Sequence, residues 1–282
     1  MQHVLGLDHV IILVRDLDDA DARLTRLGFR PTPRGVHSAH TGTANATVML
    51  ENGTYLEVLG VLEATPANAD SRAVLAEREG PFGLALKTDD AHAAAEAFEA
   101  AQIAAGGALA FVRPVAFPNG TQDACFTVAR ARPDATPGAS LFVCQHHTPD
   151  IVWREDYLEQ PNGATGLAEV IGIADDLLAI EDAYGAIFGG RVRRADDRVT
   201  IAAGDAQITF LSPGAFAERF DAAGEPVCSP KPRFAGLRVQ VRDLDRTKAT
   251  LQRNRVPWTE GAGGSVLVAP DQGCGTLFEL AS

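Results

Sequence analysis

The sequence predicts an α+β protein built from four copies of one supersecondary unit: a strand, a helix, then antiparallel strands. Three observations lead there. An apolar run ending in an acidic turn occurs four times in the 282 residues. A stretch with apolar residues at three- and four-residue steps follows each run. Short strand-like runs joined by turn residues come next. One such unit is too small to close a core, so units should pair, and sequential units should pair with each other.

The first copy is His9-Val-Ile-Ile-Leu-Val-Arg-Asp16-Leu-Asp18, followed by a predicted helix over 20–29. The last is Gly236-Leu-Arg-Val-Gln-Val-Arg-Asp243-Leu-Asp245, followed by one over 247–256. Both contain Val-Arg-Asp-Leu-Asp. Weaker copies are Gly83-Leu-Ala-Leu-Lys-Thr-Asp-Asp90 and Glu169-Val-Ile-Gly-Ile-Ala-Asp-Asp176. The Val, Ile and Leu content suits buried strands. The acidic residue suits a helix N-cap, where a carboxylate accepts free backbone N–H groups and faces the positive end of the helix dipole. Gly28 and Gly106 stand where the first two helices should stop.

Hairpins complete the units. Runs 46–50 and 55–59 flank Asn52-Gly53, a strong hairpin signal. Runs 199–203 and 207–211 flank Gly204-Asp205, and the fourth copy carries runs 265–269 and 276–280. Pro149, Pro161, Asn162 and Gly163 mark residues 149–165 as a linker between domains 1–148 and 166–282. The loop Arg132–Gly138 is expected to project from the second unit, and residues 212–234, with four prolines, form a long insertion of the kind used for lids or interfaces.

Composition sets the class. Hydrophobic residues at 46% and charged residues at 22% describe a globular chain, not a disordered one. A net charge of −12 and the lack of a basic stripe oppose a nucleic-acid partner. No apolar run is long enough to span a membrane, and the N-terminus lacks a signal-peptide pattern. Cys125, Cys144, Cys228 and Cys274 are widely spaced, as expected of reduced cytoplasmic thiols. Glycine-rich dinucleotide loops, Walker loops, nucleophile elbows and His-Glu-x-x-His helices do not occur.

The chain resembles the vicinal oxygen chelate superfamily, which includes glyoxalase I, extradiol dioxygenases and bleomycin-resistance proteins. The match lies in Leu7-Asp8-His9-Val10, Asp16-Leu17-Asp18, Leu27-Gly28-Phe29 and Tyr55-Leu56-Glu57. With Gly35-Val-His37 and Gly42-Thr43-Ala-Asn45, these segments are similar to a glyoxalase-like subgroup. The resemblance implies two tandem half-open barrels, each made of two βαβββ units around one metal. It places the ligands, usually His or Glu, on the first and last strands of each unit.

Self-alignment puts His9, Gly83, Glu169 and Gly236 at the first-strand position. It puts Glu57, Val143 or a neighbour, Thr209 and Glu279 at the last-strand position. Under adjacent pairing His9 and Glu57 are two ligands, with His146 or Gln145 as the third. Under a swapped pairing of units one and four, His9, Glu57 and Glu279 form the site. Glu57 also argues for itself, since a carboxylate within Leu-Glu-Val-Leu is costly to bury unless paired, protonated or coordinated. Of His146 and His147, at most one can face inward.

His37, Asn45 and Tyr55 are candidate substrate contacts around the barrel mouth. Trp153 and Arg154 are candidates to stack on a substrate and clamp its carboxylate. The expected activity is a lyase or isomerase acting on a small oxygen-rich molecule. A divalent Zn, Mn, Fe, Ni or Co ion would chelate its vicinal oxygens, and Glu57 would move the proton. The alternative is a metal-free protein that sequesters a small molecule; a third reading is an interaction module with a filled barrel. Oligomeric state is open, with a homodimer expected where open edges are buried against a partner.

Overall fold

In the computed structural model, which describes residues 1, 3–117, 120–220 and 231–282, the chain forms two eight-stranded mixed sheets. The first holds β1 (Gly6–Val14), β2 (Gly35–Val36), β3 (Thr43–Met49), β4 (Tyr55–Val61), β5 (Gly80–Lys87), β6 (Leu109–Phe117), β7 (Gly120–Arg130) and β8 (Ser140–His146). Its order is β2-β3-β4-β1-β5-β8-β7-β6. The second repeats that order with β9 (Ala164–Ile173), β10 (Val192–Arg194), β11 (Arg198–Ala203), β12 (Ala206–Leu211), β13 (Arg233–Val241), β14 (Thr259–Glu260), β15 (Val266–Val268) and β16 (Leu277–Ala281). The helices are α1 (Leu17–Arg26), α2 (Ala69–Glu77), α3 (Ala91–Ala100), α4 (Pro149–Val152), α5 (Leu177–Phe188), α6 (Pro213–Phe220) and α7 (Leu244–Arg253).

The first strands of units one and two, β1 and β5, pair antiparallel, as do β9 and β13. Adjacent units therefore share a sheet, and the swapped arrangement that would have joined Glu279 to His9 does not occur. In the first sheet the edge strands β2 and β6 come into contact, so it curls into a nearly closed cup. Alternation divides each strand between two environments. Val10, Ile12 and Val14 join the large core on the helix side. Ile11, Leu13, Tyr55, Phe126, Phe142 and Cys144 line the concave side.

The repeated acidic turns act as caps. Asp16 accepts from the N–H groups of Asp18 and Asp19, Asp90 from His92 and Ala93, Asp176 from Ala179, and Asp243 from Asp245 and Arg246. Three helices also end alike. Phe29 N donates to Leu24 O (3.0 Å), Ile103 N to Phe98 O (2.9 Å) and Val256 N to Leu251 O (2.9 Å). This closure needs a left-handed residue just past the helix. Gly28 supplies it at φ 82°, but the others are Gln102 at φ 58° and Arg255 at φ 56°. The expected stop at Gly106 is thus displaced to Gln102, which accepts the strained conformation because Ile103 is buried by it.

The linker is pinned, not loose. Gln160 accepts from Arg30 N (2.7 Å) and donates to Met49 O (2.9 Å), while Asn162 donates to Leu27 O (3.1 Å). The Arg132–Gly138 loop does not project as expected. The hydroxyl of Tyr184, on α5, donates to Pro137 O (3.0 Å), which ties the loop to the second unit pair. Within the 212–234 insertion, α6 is a helix whose Phe216 and Phe220 fill the second concave face. Residues 221–230, with Cys228, lie outside the described residues. Among the described residues no helix is long and apolar enough to cross a membrane.

Candidate functional site

The sheet registers fix which positions are equivalent in the two halves of each barrel. His9 pairs with Ala85 and Ile11 with Gly83, so the local two-fold equates His9 with Gly83. Ile11 pairs with Glu57 and Ala85 with Phe142, which equates Glu57 with Phe142. Of Val143 and its neighbours, Phe142 is the residue that faces the cup, while Val143 faces the helix side. The first barrel thus presents His9 and Glu57 from unit one, and Gly83 and Phe142 from unit two. Gly83 is not replaceable by a ligand-bearing residue, because its Cβ would lie 2.7 Å from Ile11 Cδ1.

His9 is the centre of a buried relay. Its Nε2 lies 3.3 Å from Glu57 Oε2, and its Nδ1 lies 2.6 Å from Asp8 Oδ1. Asp8 Oδ1 is also 3.1 Å from His146 Nε2, and Asn45 Nδ2 donates to Glu57 Oε1 (2.7 Å). A register shift between Leu7 and His9 bulges the strand, which lets two successive side chains, Asp8 and His9, both reach the interior. Burial disfavours every charge here, yet the hydrogen bonds win. Burial would lower the His9 pKa, but Asp8 and Glu57 raise it to about 9. Burial would raise those of Asp8 and Glu57, but hydrogen bonds to His146 and His9 hold Asp8 at about 2, and one to His9 holds Glu57 at about 2. An imidazolium between two carboxylates results.

Aromatic rings wall this relay. Tyr55 stacks on His9 with centroids 4.2 Å apart, and Trp153 lies 4.7 Å from the His146 ring and 5.7 Å from that of Tyr55. Asn45 Oδ1, His146 Nδ1 and Trp153 Nε1 are buried with no hydrogen-bond partner among the described residues. Buried orphans of this kind mark places where a ligand or water belongs. His37 Nδ1 lies 2.8 Å from Thr43 Oγ1, and burial chiefly lowers its pKa. Of the two adjacent histidines, His146 faces inward, while His147 Nε2 meets Thr127 Oγ1 (2.8 Å) on the other side. Arg154 stands apart from the relay, stacked over Phe117 and Tyr157 and donating to Ala116 O (2.9 Å).

The family model of the glyoxalase-like domain matches residues 7–188, which takes in the whole first barrel and the opening strand and helix of the second. The chain belongs to the glyoxalase-like domain family. Solved structures share its fold. A hypothetical protein from Staphylococcus aureus is 11% identical, with a TM-score of 0.68 over 98% of this chain and 99% of that one. A variant of 4-hydroxymandelate synthase from Streptomyces coelicolor is 16% identical, with a TM-score of 0.59 over 99% and 92%. A Mn(II)-bound glyoxalase from Novosphingobium aromaticivorans is 13% identical, with a TM-score of 0.57 over 99% and 82%. No curated protein matches the sequence.

The glyoxalase-like barrel can be tested for a metal by its donors. Two ligands about 2.1 Å from one ion at a roughly tetrahedral angle stand about 3.4 Å apart. The 3.3 Å between His9 Nε2 and Glu57 Oε2 meets that spacing. Asp8, on the other ring nitrogen, is the orienting carboxylate that a metal-binding histidine usually has. His146 sits on the Nδ1 side of His9, tied to Asp8, and not beside Glu57. Asp8, Cys144 and His146 also have donor atoms within 4.8 Å of one another.

The second glyoxalase-like barrel carries Glu169, Thr209, Gly236 and Glu279 at the equivalent positions. Arg219 on α6 enters between the two carboxylates. Its Nη2 is 2.6 Å from Glu169 Oε2 and 2.6 Å from Glu279 Oε2, and Nη1 donates to Glu169 Oε1 (3.2 Å). Glu279 is therefore an internal ion-pair partner in a barrel separate from that of His9. Sequence reasoning missed Asp8 and Arg219. Asp8 was visible as an acid inside an apolar run, whereas nothing in the insertion distinguished Arg219 from a surface arginine.

Proposed function

We propose that the first barrel is the active site of a lyase- or isomerase-type enzyme. In this reading it binds a small oxygen-rich organic molecule, with His9 and Glu57 holding a divalent cation. The observation that carries the reading is the buried Glu57–His9–Asp8 relay facing a cup that also contains unpartnered polar atoms. The cation would supply Lewis acidity toward neighbouring substrate oxygens. Asp8 fixes the ring of His9, and Asn45 fixes Glu57 through Oε1; Oε2, the atom facing His9, would take or give a proton once substrate binding displaces it from the ion. Tyr55 and Trp153 exclude water and offer flat faces to the substrate body. The test is metal content of protein prepared without chelators, with His9→Ala and Glu57→Ala alongside. Near-stoichiometric Zn, Mn, Fe, Ni or Co lost in both variants supports the reading. A wild type that also takes up none of the added ions sinks it.

One observation favours the second reading, metal-free sequestration of a small molecule. Gly83 and Phe142 give no ligand, so the equivalent positions supply two donors where a catalytic ion commonly has about three. Under that reading ligand binding survives complete removal of divalent ions.

A further inference from the structure

We propose that the cleft at the seam of the first barrel, between the β2–β3 edge and β6, is an oxyanion-binding subsite. It would take the carboxylate or phosphate of the molecule acted on at Glu57. This deepens the functional reading above and rests on it for the identity of the reacting end.

The cleft is lined by Arg34, Arg113 and Arg154 together with Thr32, Thr47 and Tyr157, and no acidic residue lines it. That is unexpected in a chain of net charge −12. A concave wall carrying one sign of charge focuses potential on whatever enters it. Arg34 is partly satisfied by Asp18 at 2.6 Å, and Arg154 by Asp156 at 3.2 Å. Arg113 forms no hydrogen bond or salt bridge with any described residue. It shares a face of the sheet with Ala124, its partner on β7 and a member of the concave cluster. A planar guanidinium with no partner among the described residues, set in a concave site, is suited to bidentate capture of a carboxylate or phosphate.

Gly35 shows how closely this arginine is built in. A Cβ there would lie 2.8 Å from Arg113 Nη1 and 2.9 Å from Asn45 Oδ1. A side chain at Gly35 would crowd both the guanidinium and the amide that holds Glu57, and that amide oxygen is itself buried with no partner among the described residues. Gly35, paired with Asn45 across β2 and β3, thus lies next to both the guanidinium and the amide that donates to Glu57. Tyr157, beneath Arg154, adds a face for an apolar or aromatic body next to the charged group.

The test is calorimetric titration of the full chain with benzoate, oxalate and inorganic phosphate, in wild type, Arg113→Gln, Arg113→Lys and Gly35→Ala. Thermal unfolding checks that each variant is folded. At least one anion should saturate the wild type, with affinity that falls as salt rises. Arg113→Gln should weaken it about tenfold or more, the loss of one charge-assisted hydrogen bond. Arg113→Lys should recover part, and Gly35→Ala should weaken binding although every arginine is present. Preference for a carboxylate makes the ligand an organic acid and preference for phosphate a phosphoester; both uphold the subsite. No saturation by any of the three, or binding unchanged in Arg113→Gln, overturns it. Divalent-ion uptake measured on the same samples separates the two ideas. Anion binding without ion uptake removes the metal reading alone, and ion uptake without anion binding removes the subsite alone.

Discussion

Replacing Arg219 with Met tests whether a guanidinium stands where the second barrel would otherwise need a cation. Methionine keeps an apolar stem of similar length, so packing against Phe220 is largely retained. What is lost is the charge between Glu169 and Glu279, each 2% exposed. Removing one partner of a buried ionic cluster costs about 3–5 kcal/mol. An independent bound follows from protonation. With Arg219 gone, Arg238 still lies 3.6 Å from Glu279, so Glu169 is the carboxyl that takes a proton, and doing so at pH 7 from a reference near 4.3 costs about 3.7 kcal/mol at about 1.36 kcal/mol per pH unit. The two figures agree near 4 kcal/mol. The sign of the pH dependence is opposite in the two proteins. In the wild type burial would raise the Glu169 pKa, but Arg219 holds it lowered. Its contribution is then present above the unfolded carboxyl pKa and lost as pH falls. In the variant the folded state binds a proton that the unfolded state does not, so the variant gains stability as pH falls. Urea unfolding of both proteins from pH 7 to 4.5 should therefore show a gap of about 4 kcal/mol that closes by about 1.4 kcal/mol per unit. A gap below about 1 kcal/mol at pH 7, or one independent of pH, would refute the argument.

Other expectations follow from single residues. His9→Gln should lose any divalent-ion uptake by about tenfold or more while remaining folded, read by elemental analysis and circular dichroism. The first barrel should be most stable between about pH 4.5 and 6.5. Above that window the His9 contribution fades as pH rises through about 9, and below it those of Asp8 and Glu57 fade as pH falls through about 2. A stability profile in which His9→Gln keeps the alkaline decline would contradict this. Gly28→Ala should cost more than about 1 kcal/mol, since φ is 82° and the new Cβ would lie 2.6 Å from Thr250 Cγ2. Gln102→Gly should instead stabilise by up to about 1 kcal/mol, because glycine removes the left-handed strain at φ 58°. Chemical denaturation of the two variants side by side checks both signs.

The repeat made the fold legible because each copy states its cap and its strand in local sequence. Asp16, Asp90, Asp176 and Asp243 all cap as their position after an apolar run requires. Pairing of adjacent units was legible for the same reason, since β1 meets β5 through the apolar runs that define the repeat. The candidate site was only half legible. His9 and Glu57 lie in strands whose alternation declares an inward face, and they do meet. Asp8 was visible as an acid in an apolar run, but its inward face was not, because a bulge breaks the period-2 rule that would have turned it outward. Arg219 and Arg113 were hidden because an arginine's destination depends on which element folds over it, and that is a tertiary fact. The Arg132–Gly138 loop failed in the same way: turn residues announced a loop, but the Tyr184 hydroxyl that ties it down lies 47 residues further along.

The two barrels answer one electrostatic problem in opposite ways. Each buries two acidic groups, Asp8 and Glu57 in the first and Glu169 and Glu279 in the second, and each must offset them in a medium where unpaired charge is expensive. The second does so with Arg219 from its own insertion, set between the two carboxylates, and with Arg238 at 3.6 Å from Glu279. The first uses His9, a cation whose proton can leave, and keeps at its seam Arg113, which has no hydrogen-bond or salt-bridge partner among the described residues. A guanidinium does not give up its proton in a protein, so the second barrel is committed to a fixed charge state. In the readings proposed above, the first would exchange a proton for a metal ion and take an anion at its seam. Between two halves of one fold, chemistry is thus expected in the half whose neutralising cation is titratable and whose remaining positive charge is unspent.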